Sequence, residues 1–155
     1  MYFLICFILL FISCDKNSSA PDENLCCQCV EPNCWNLDID GILDNYNQYQ
    51  FNGSITSAVI NEGISIVGPG DVFAAFVDEE LRGVAVPTEV PFGNYEGTYQ
   101  FLMLIYSNSS SGELIHFKFY DSDLDLVYNI TQNNNFISDM IQGDVLNPLL
   151  FNIIN

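Results

Sequence analysis

From Trp35 onward, apolar and polar residues recur with a period of two rather than 3.6. The stretch ELIHFKFYD sets Ile115, Phe117 and Phe119 on one face and His116 and Lys118 on the other, the signature of a strand with one buried side. TYQFLMLIYS is apolar on both faces and predicts a central strand covered on two sides. GSITSAVI, DVFAAFV, LRGVAVP, LVYNI, NNFISD and LLFNII read as further short strands. Turn clusters separate them: NEG, GPGD, PFGNYEG, SNSSSGE and QNNN. Helix is scarce, with at most a turn near Asp139 to Gly143. The pattern predicts an all-β fold, an antiparallel β-sandwich of about eight short strands over residues 35–155.

Within this pattern, DVFAAFVDEELRGVA (residues 71–85) holds one of only three basic side chains, Arg82. A two-residue turn at Asp78–Glu79 would pair Val77 with Glu80, Ala75 with Arg82 and Phe73 with Val84. Glu80 and Arg82 then share a face as a structural ion pair, and the arginine stem lies flat across small Ala75. Glu79 lacks the freedom of the glycine usual in such turns, which leaves the register open.

Composition narrows the partners. The chain has 155 residues, room for one domain and a leader, and 49% of them are apolar, which makes bulk disorder untenable. With 20 acids against three bases the formal net charge is −17, so the surface repels phosphate backbones and anionic headgroups. Nucleic acid is excluded as a partner; a protein or a neutral glycan is not.

The run MYFLICFILLFISC is too short to span a bilayer and has the length of a signal-peptide core. No positive n-region precedes it, which fits a start further upstream. FISC resembles a bacterial lipobox, so residues 1–13 are expected to be a signal peptide and Cys14 the lipidated residue. A signal peptide cleaved elsewhere is the alternative. Residues 14–34 then form a polar tether and a cysteine cluster, placing the protein outside the cytoplasm, anchored by an N-terminal lipid at the outer membrane or cell surface. Cys26, Cys27, Cys29 and Cys34 fall in CCQCVEPNCW, whose spacing does not fit the C-x-x-C pairs of zinc sites. Two disulfides are expected in an oxidising compartment. Pairing Cys26 with Cys27 is sterically poor, which leaves two connectivities.

The A-A-F-V strand, the E-x-R-G-V-A return and the F-K-F-Y-D strand followed by a later tyrosine carry a resemblance. Over roughly residues 45–155 the chain resembles a β module that recurs in secreted surface proteins of Bacteroidota-type bacteria. The resemblance implies an extracytoplasmic β domain and carries no catalytic residue.

Candidate chemistry is sparse. Asp121, Asp123 and Asp125 have the D-x-D-x-D spacing of calcium loops, and calcium is the one cofactor the sequence suggests. Leu126 stands where the EF-hand needs glycine and Gln132 where it needs glutamate, so a polar hairpin turn competes with the ion site. His116 is the only histidine and reads as a surface residue, which argues against a serine triad or a zinc enzyme. Trp35, Tyr46, Tyr49, Tyr95 and Tyr99 lie near strand ends, where they pack along the sandwich or stack on sugars. The expected function is a non-enzymatic cell-surface lipoprotein module for adhesion, ligand binding or envelope structure. A glycan-binding module serving polysaccharide uptake is the alternative, and a small secreted hydrolase the third.

Overall fold

The computed structural model describes residues 31–35 and 40–153. The expected leader, Cys14, Cys26, Cys27 and Cys29 lie outside the described residues. The strands are β1 (Phe51–Asn61), β2 (Ile64–Ser65), β3 (Val72–Val77), β4 (Glu80–Ala85), β5 (Pro87–Glu89), β6 (Tyr99–Ser107), β7 (Ser111–Asp121), β8 (Leu126–Ile137), β9 (Ile141–Gln142) and β10 (Leu149–Asn152). They form the sandwich that the alternation predicts, with ten strands rather than about eight. Sheet A has the order β10-β1-β6-β5, with β2 and β9 also paired to β1; sheet B has the order β4-β3-β7-β8. Pairing is antiparallel except that β9 and β10 run parallel to β1. The turn expected near Asp139 delivers the chain into β9, with Asp139 at φ +61°. The one 3₁₀ turn among the described residues is Tyr46–Gln48 instead.

The core is the set of inward positions that period two marks out. Ile55 and Val59 of β1 with Phe101, Met103 and Ile105 of β6 face Phe73 of β3 and Ile115, Phe117 and Phe119 of β7. Phe73 sits at the centre, its ring 5.4 Å from Phe117, 5.2 Å from Phe101 and 5.2 Å from Phe151. Burying each such ring contributes roughly 2–3 kcal/mol of transfer free energy. β6 departs from expectation. It is central in its sheet, yet Leu102 and Leu104 remain 51% and 48% exposed on the outer face. A two-layer sandwich covers one face of each sheet, and among the described residues no third layer lies over this part of β6.

The β3–β4 hairpin turns at Asp78–Glu79, with Val77 opposite Glu80 and Asp78 at φ +54°. Beyond that the expected register is corrected. Phe76 pairs with Leu81 and Ala75 with Gly83, so Arg82 is the extra residue of a β-bulge and Phe73 faces Ala85, not Val84. One inserted residue inverts the side of every later one. Val84 therefore turns to the outer face of sheet B, where it packs with Trp35, while Ala85 enters the core. β4 also closes tightly on β6 of the other sheet: a Cβ on Gly83 would fall 2.6 Å from the Leu104 carbonyl oxygen. LRGVAVP, one strand by its pattern, breaks at Val86 as the chain crosses from sheet B to sheet A. Pro87 then opens the edge strand β5, where a missing N–H is tolerated.

Candidate functional site: a groove on the outer face of sheet B

Alternation along β7 sends His116 and Lys118 outward, and cross-strand pairing puts Asn129 of β8 directly beside Lys118. Outward Phe76 of β3 forms the floor next to them. The segment 31–35 folds over this face as a turn, the Trp35 N–H donating to the Pro32 carbonyl at 2.9 Å. Trp35 is 3% exposed and meets the Phe76 ring edge-on at 5.8 Å. It is thus packed against the sheet and is no exposed stacking platform. Docking of this turn brings Glu31 Oε1 to 2.5 Å from Lys118 Nζ, while the same ammonium lies 5.2 Å from the Phe76 ring centroid. Lys118 is held between a carboxylate and an aromatic face. Its ion pair is part-exposed, and such pairs contribute about 0–1 kcal/mol.

Between these elements and the Asp78–Glu79 turn lies a groove of about 590 Å³. Glu31 compensates Lys118; Asp78 and Glu79 on the opposite rim have no basic partner among the described residues. His116 Nδ1 is 2.9 Å from Asn133 Oδ1, a contact in which the imidazole N–H donates and the amide oxygen accepts. Asn133 belongs to a second bulge, where β8 slips against β7 between Ile115 and Phe117. The groove therefore offers carboxylate acceptors on one side, an imidazole, an ammonium and an amide on the other, and an aromatic floor.

The hairpin that supplies Asp78 and Glu79 is anchored from below by Arg82. Its Nη1 donates to the Tyr106 carbonyl at 3.3 Å and to Glu113 Oε2 at 3.4 Å. Nη2 donates to Glu113 Oε1 at 3.3 Å and lies 3.2 Å from Glu80 Oε2. The Tyr49 ring lies 5.0 Å from the guanidinium carbon, and the Tyr49 hydroxyl donates to Glu80 Oε1 at 2.6 Å. The Ser107 hydroxyl donates to Glu113 Oε2. Tyr106 and Ser107 belong to sheet A, Glu80 and Glu113 to sheet B, so the arginine clips the two sheets together at one end. Burial pushes the Tyr49 phenol above its ordinary 10.0, and its bond to Glu80 pushes it further against the opposing charge of Arg82. Arg82 Nε is buried without a hydrogen-bond partner among the described residues, a cost borne by the other contacts.

Asp121, Asp123 and Asp125 lie at the β7–β8 turn. Asp121 Oδ1 accepts the amides of Asp123 and Leu124, both at 3.0 Å, which closes an Asx turn. Asp125, at φ +53°, accepts the Tyr120 hydroxyl at 3.0 Å. No group of three or more His, Cys, Asp or Glu side chains among the described residues is arranged to hold a metal ion. Asp71, which sequence reasoning missed, braces this turn: its Oδ1 accepts the Ser122 amide at 2.9 Å and its Oδ2 the Gly68 amide at 2.8 Å. Burial raises the Asp71 carboxyl above its ordinary 3.8, although those amides pull it down. Glu113 was also missed; it stands 31 residues from Arg82, a distance no local pattern bridges.

A scan against protein-family models, a search of curated proteins and a search of solved structures each found no match to this chain.

Proposed function

We propose that this chain is a non-enzymatic, extracytoplasmic binding module, anchored through a lipid on Cys14, whose sheet B groove takes a neutral glycan. The observation that carries the reading is the groove itself. Asp78 and Glu79 face His116, Lys118 and Asn129 across an aromatic floor, a set of acceptors and donors suited to hydroxyl groups. The net charge of −17 favours a neutral ligand over an anionic one. Both walls are backbone-paired: one is a bulged hairpin tied to sheet A by Arg82, the other the β7–β8 strand pair.

Titration calorimetry with a panel of neutral oligosaccharides tests this. At least one is expected to bind, and the double variant Asp78→Asn, Glu79→Ala, which keeps a residue that tolerates the positive φ at position 78, to bind it at least about tenfold more weakly with an unchanged melting midpoint, since both charged acceptors are lost. Absence of binding across the panel, or affinity indifferent to the double variant, contradicts the proposal. So does cleavage of any oligosaccharide by the intact protein. A basic protein surface is the second reading, favoured by the uncompensated pair Asp78 and Glu79. Salt separates the two, because binding of a cationic partner weakens steeply with ionic strength and binding of a neutral glycan does not.

The anchor has its own test. Intact mass of the protein purified from membranes is expected to show acyl chains on a mature N-terminus at Cys14; an unmodified N-terminus beyond it removes the lipid from the account.

A further inference from the structure

The outer face of sheet A follows from its strand registers. β1 and β6 pair Ser54 with Leu104 and Thr56 with Leu102. These four alternate with the core residues Ile55 and Met103, so all four point outward. β9 sets Ile141 beside Ser54, and β10 sets Leu150 beside Ala58. Ile141 is 83% exposed and Leu150 44%, so the apolar surface runs from β6 across β1 to the strands beyond. At one end it stops at Gln100, which is fully buried and donates through Nε2 to the Val145 carbonyl at 3.1 Å. At the other end Tyr106 is covered by the rings of Tyr46 and Tyr49, at 5.9 Å and 6.2 Å.

Two properties set this face apart. It carries no charge: every outward position of β1, β6, β9 and β10 is apolar, hydroxyl-bearing or amide, in a chain with 20 acids. Acids begin at its rim, with Glu89 at the end of β5, Asp139 before β9 and Asp144 after it. Among the described residues, the bases lie elsewhere, Arg82 buried and Lys118 on sheet B. The face is also corrugated. Ser54 and Thr56 are short and Leu102 and Leu104 long, so β1 forms a trough of about 280 Å³ beside the ridge of β6.

We propose that this face docks a second copy of the chain, forming a weak symmetric dimer through sheet A. A two-fold axis parallel to the strands and midway between β1 and β6 exchanges the two strands across the contact. Each copy's Leu102 then lies over the other's Thr56, and each Leu104 over the other's Ser54, ridge into trough. An isologous contact requires a surface that fits itself in this way. Charge selects the same contact. Two copies at −17 repel wherever their acids meet, and this face brings none together at its centre. A basic partner finds no carboxylate there, and an anionic one meets the acidic rim. Size sets the strength. Three strands about 4.8 Å apart, over about seven residues of 3.4 Å rise, give roughly 350 Å² in plan per copy. The dimer therefore belongs with the weak interfaces that bury less than about 1,200 Å² in total. The sheet B groove stays open in it, and the contact does not rest on the glycan reading.

Sedimentation equilibrium of the full chain tests this, at loading concentrations from about 1 µM to about 1 mM and in low and high salt. The unaltered chain is expected to pass reversibly from monomer to dimer, at lower concentration in high salt, where the rim acids are screened. Leu104→Glu, which sets a carboxylate over the partner copy's trough, is expected to weaken dimerisation at least about tenfold. If that variant does not fold, amide NMR shifts of the unaltered chain on dilution decide alone; they are expected to centre on Thr56, Leu102 and Leu104. A chain that stays monomeric throughout, association that Leu104→Glu leaves unchanged, or dilution shifts centred elsewhere overturns the proposal. So does a monomer that floats with phosphatidylcholine vesicles and loses that binding in Leu104→Glu, which assigns the face to a lipid surface.

Discussion

Arg82 shows how one side chain sets a local structure. A β-bulge admits it to the interior, and Glu113, Glu80, the Tyr106 carbonyl and the Tyr49 ring receive its charge. Removing one partner of such a pair strands the other. Arg82→Ala should therefore lower stability by about 3 kcal/mol, read from urea denaturation, as Glu113 is largely enclosed. Glu80→Ala should cost no more than about 1 kcal/mol, because Glu80 is mostly in water. A double-mutant cycle checks the ranking: coupling of Arg82 to Glu80 larger than to Glu113 would refute it. Tyr49 adds a pH signature. The phenol is held protonated in the folded state and titrates at its ordinary value when unfolded. Stability from this group is present below pH 10.0 and is lost as pH rises from there through the raised value. Tyr49→Phe should flatten the alkaline loss in denaturation curves; an unchanged loss assigns it to the other tyrosines.

At the scale of elements, what the pattern conveyed and what it did not divide along a physical line. β7 was legible because its alternation is local: Ile115, Phe117 and Phe119 are buried, and His116 and Lys118 line the groove. The Ala75–Arg82 pairing was not, because a bulge depends on what lies opposite, and here Leu104 of the other sheet forces glycine beside it. Gly83→Ala tests that constraint. The added methyl must push β4 from a backbone carbonyl, and overpacking of this kind costs about 1–3 kcal/mol. A melting midpoint equal to that of the unaltered protein would show that β4 yields freely. The groove was hidden from sequence because its members come from β3, β7, β8 and a turn far upstream. Gln100 left a signal that could have been read: it is the one amide in the apolar run YQFLMLIY. At the D-x-D-x-D turn, Asp121 spends its oxygen on two backbone amides, and Asp125 receives a tyrosine hydroxyl. Calcium or a chelator should leave the melting midpoint unmoved; a rise with calcium would show that the turn reorganises around an ion.

As a whole molecule, the sandwich presents two unlike outer faces. Sheet B carries the N-terminal turn, the polar groove and the ammonium of Lys118. Sheet A exposes Leu102 and Leu104 on its outer face, and Phe92 is exposed on the loop between β5 and β6. The central claim is that a neutral glycan lies in the sheet B groove. The direct test is an amide NMR map recorded with a bound neutral oligosaccharide. The account predicts shifts concentrated at Asp78, Glu79, His116, Lys118 and Asn129, with sheet A undisturbed. Shifts confined to Leu102, Leu104 and their neighbours, with the groove unperturbed, would contradict it.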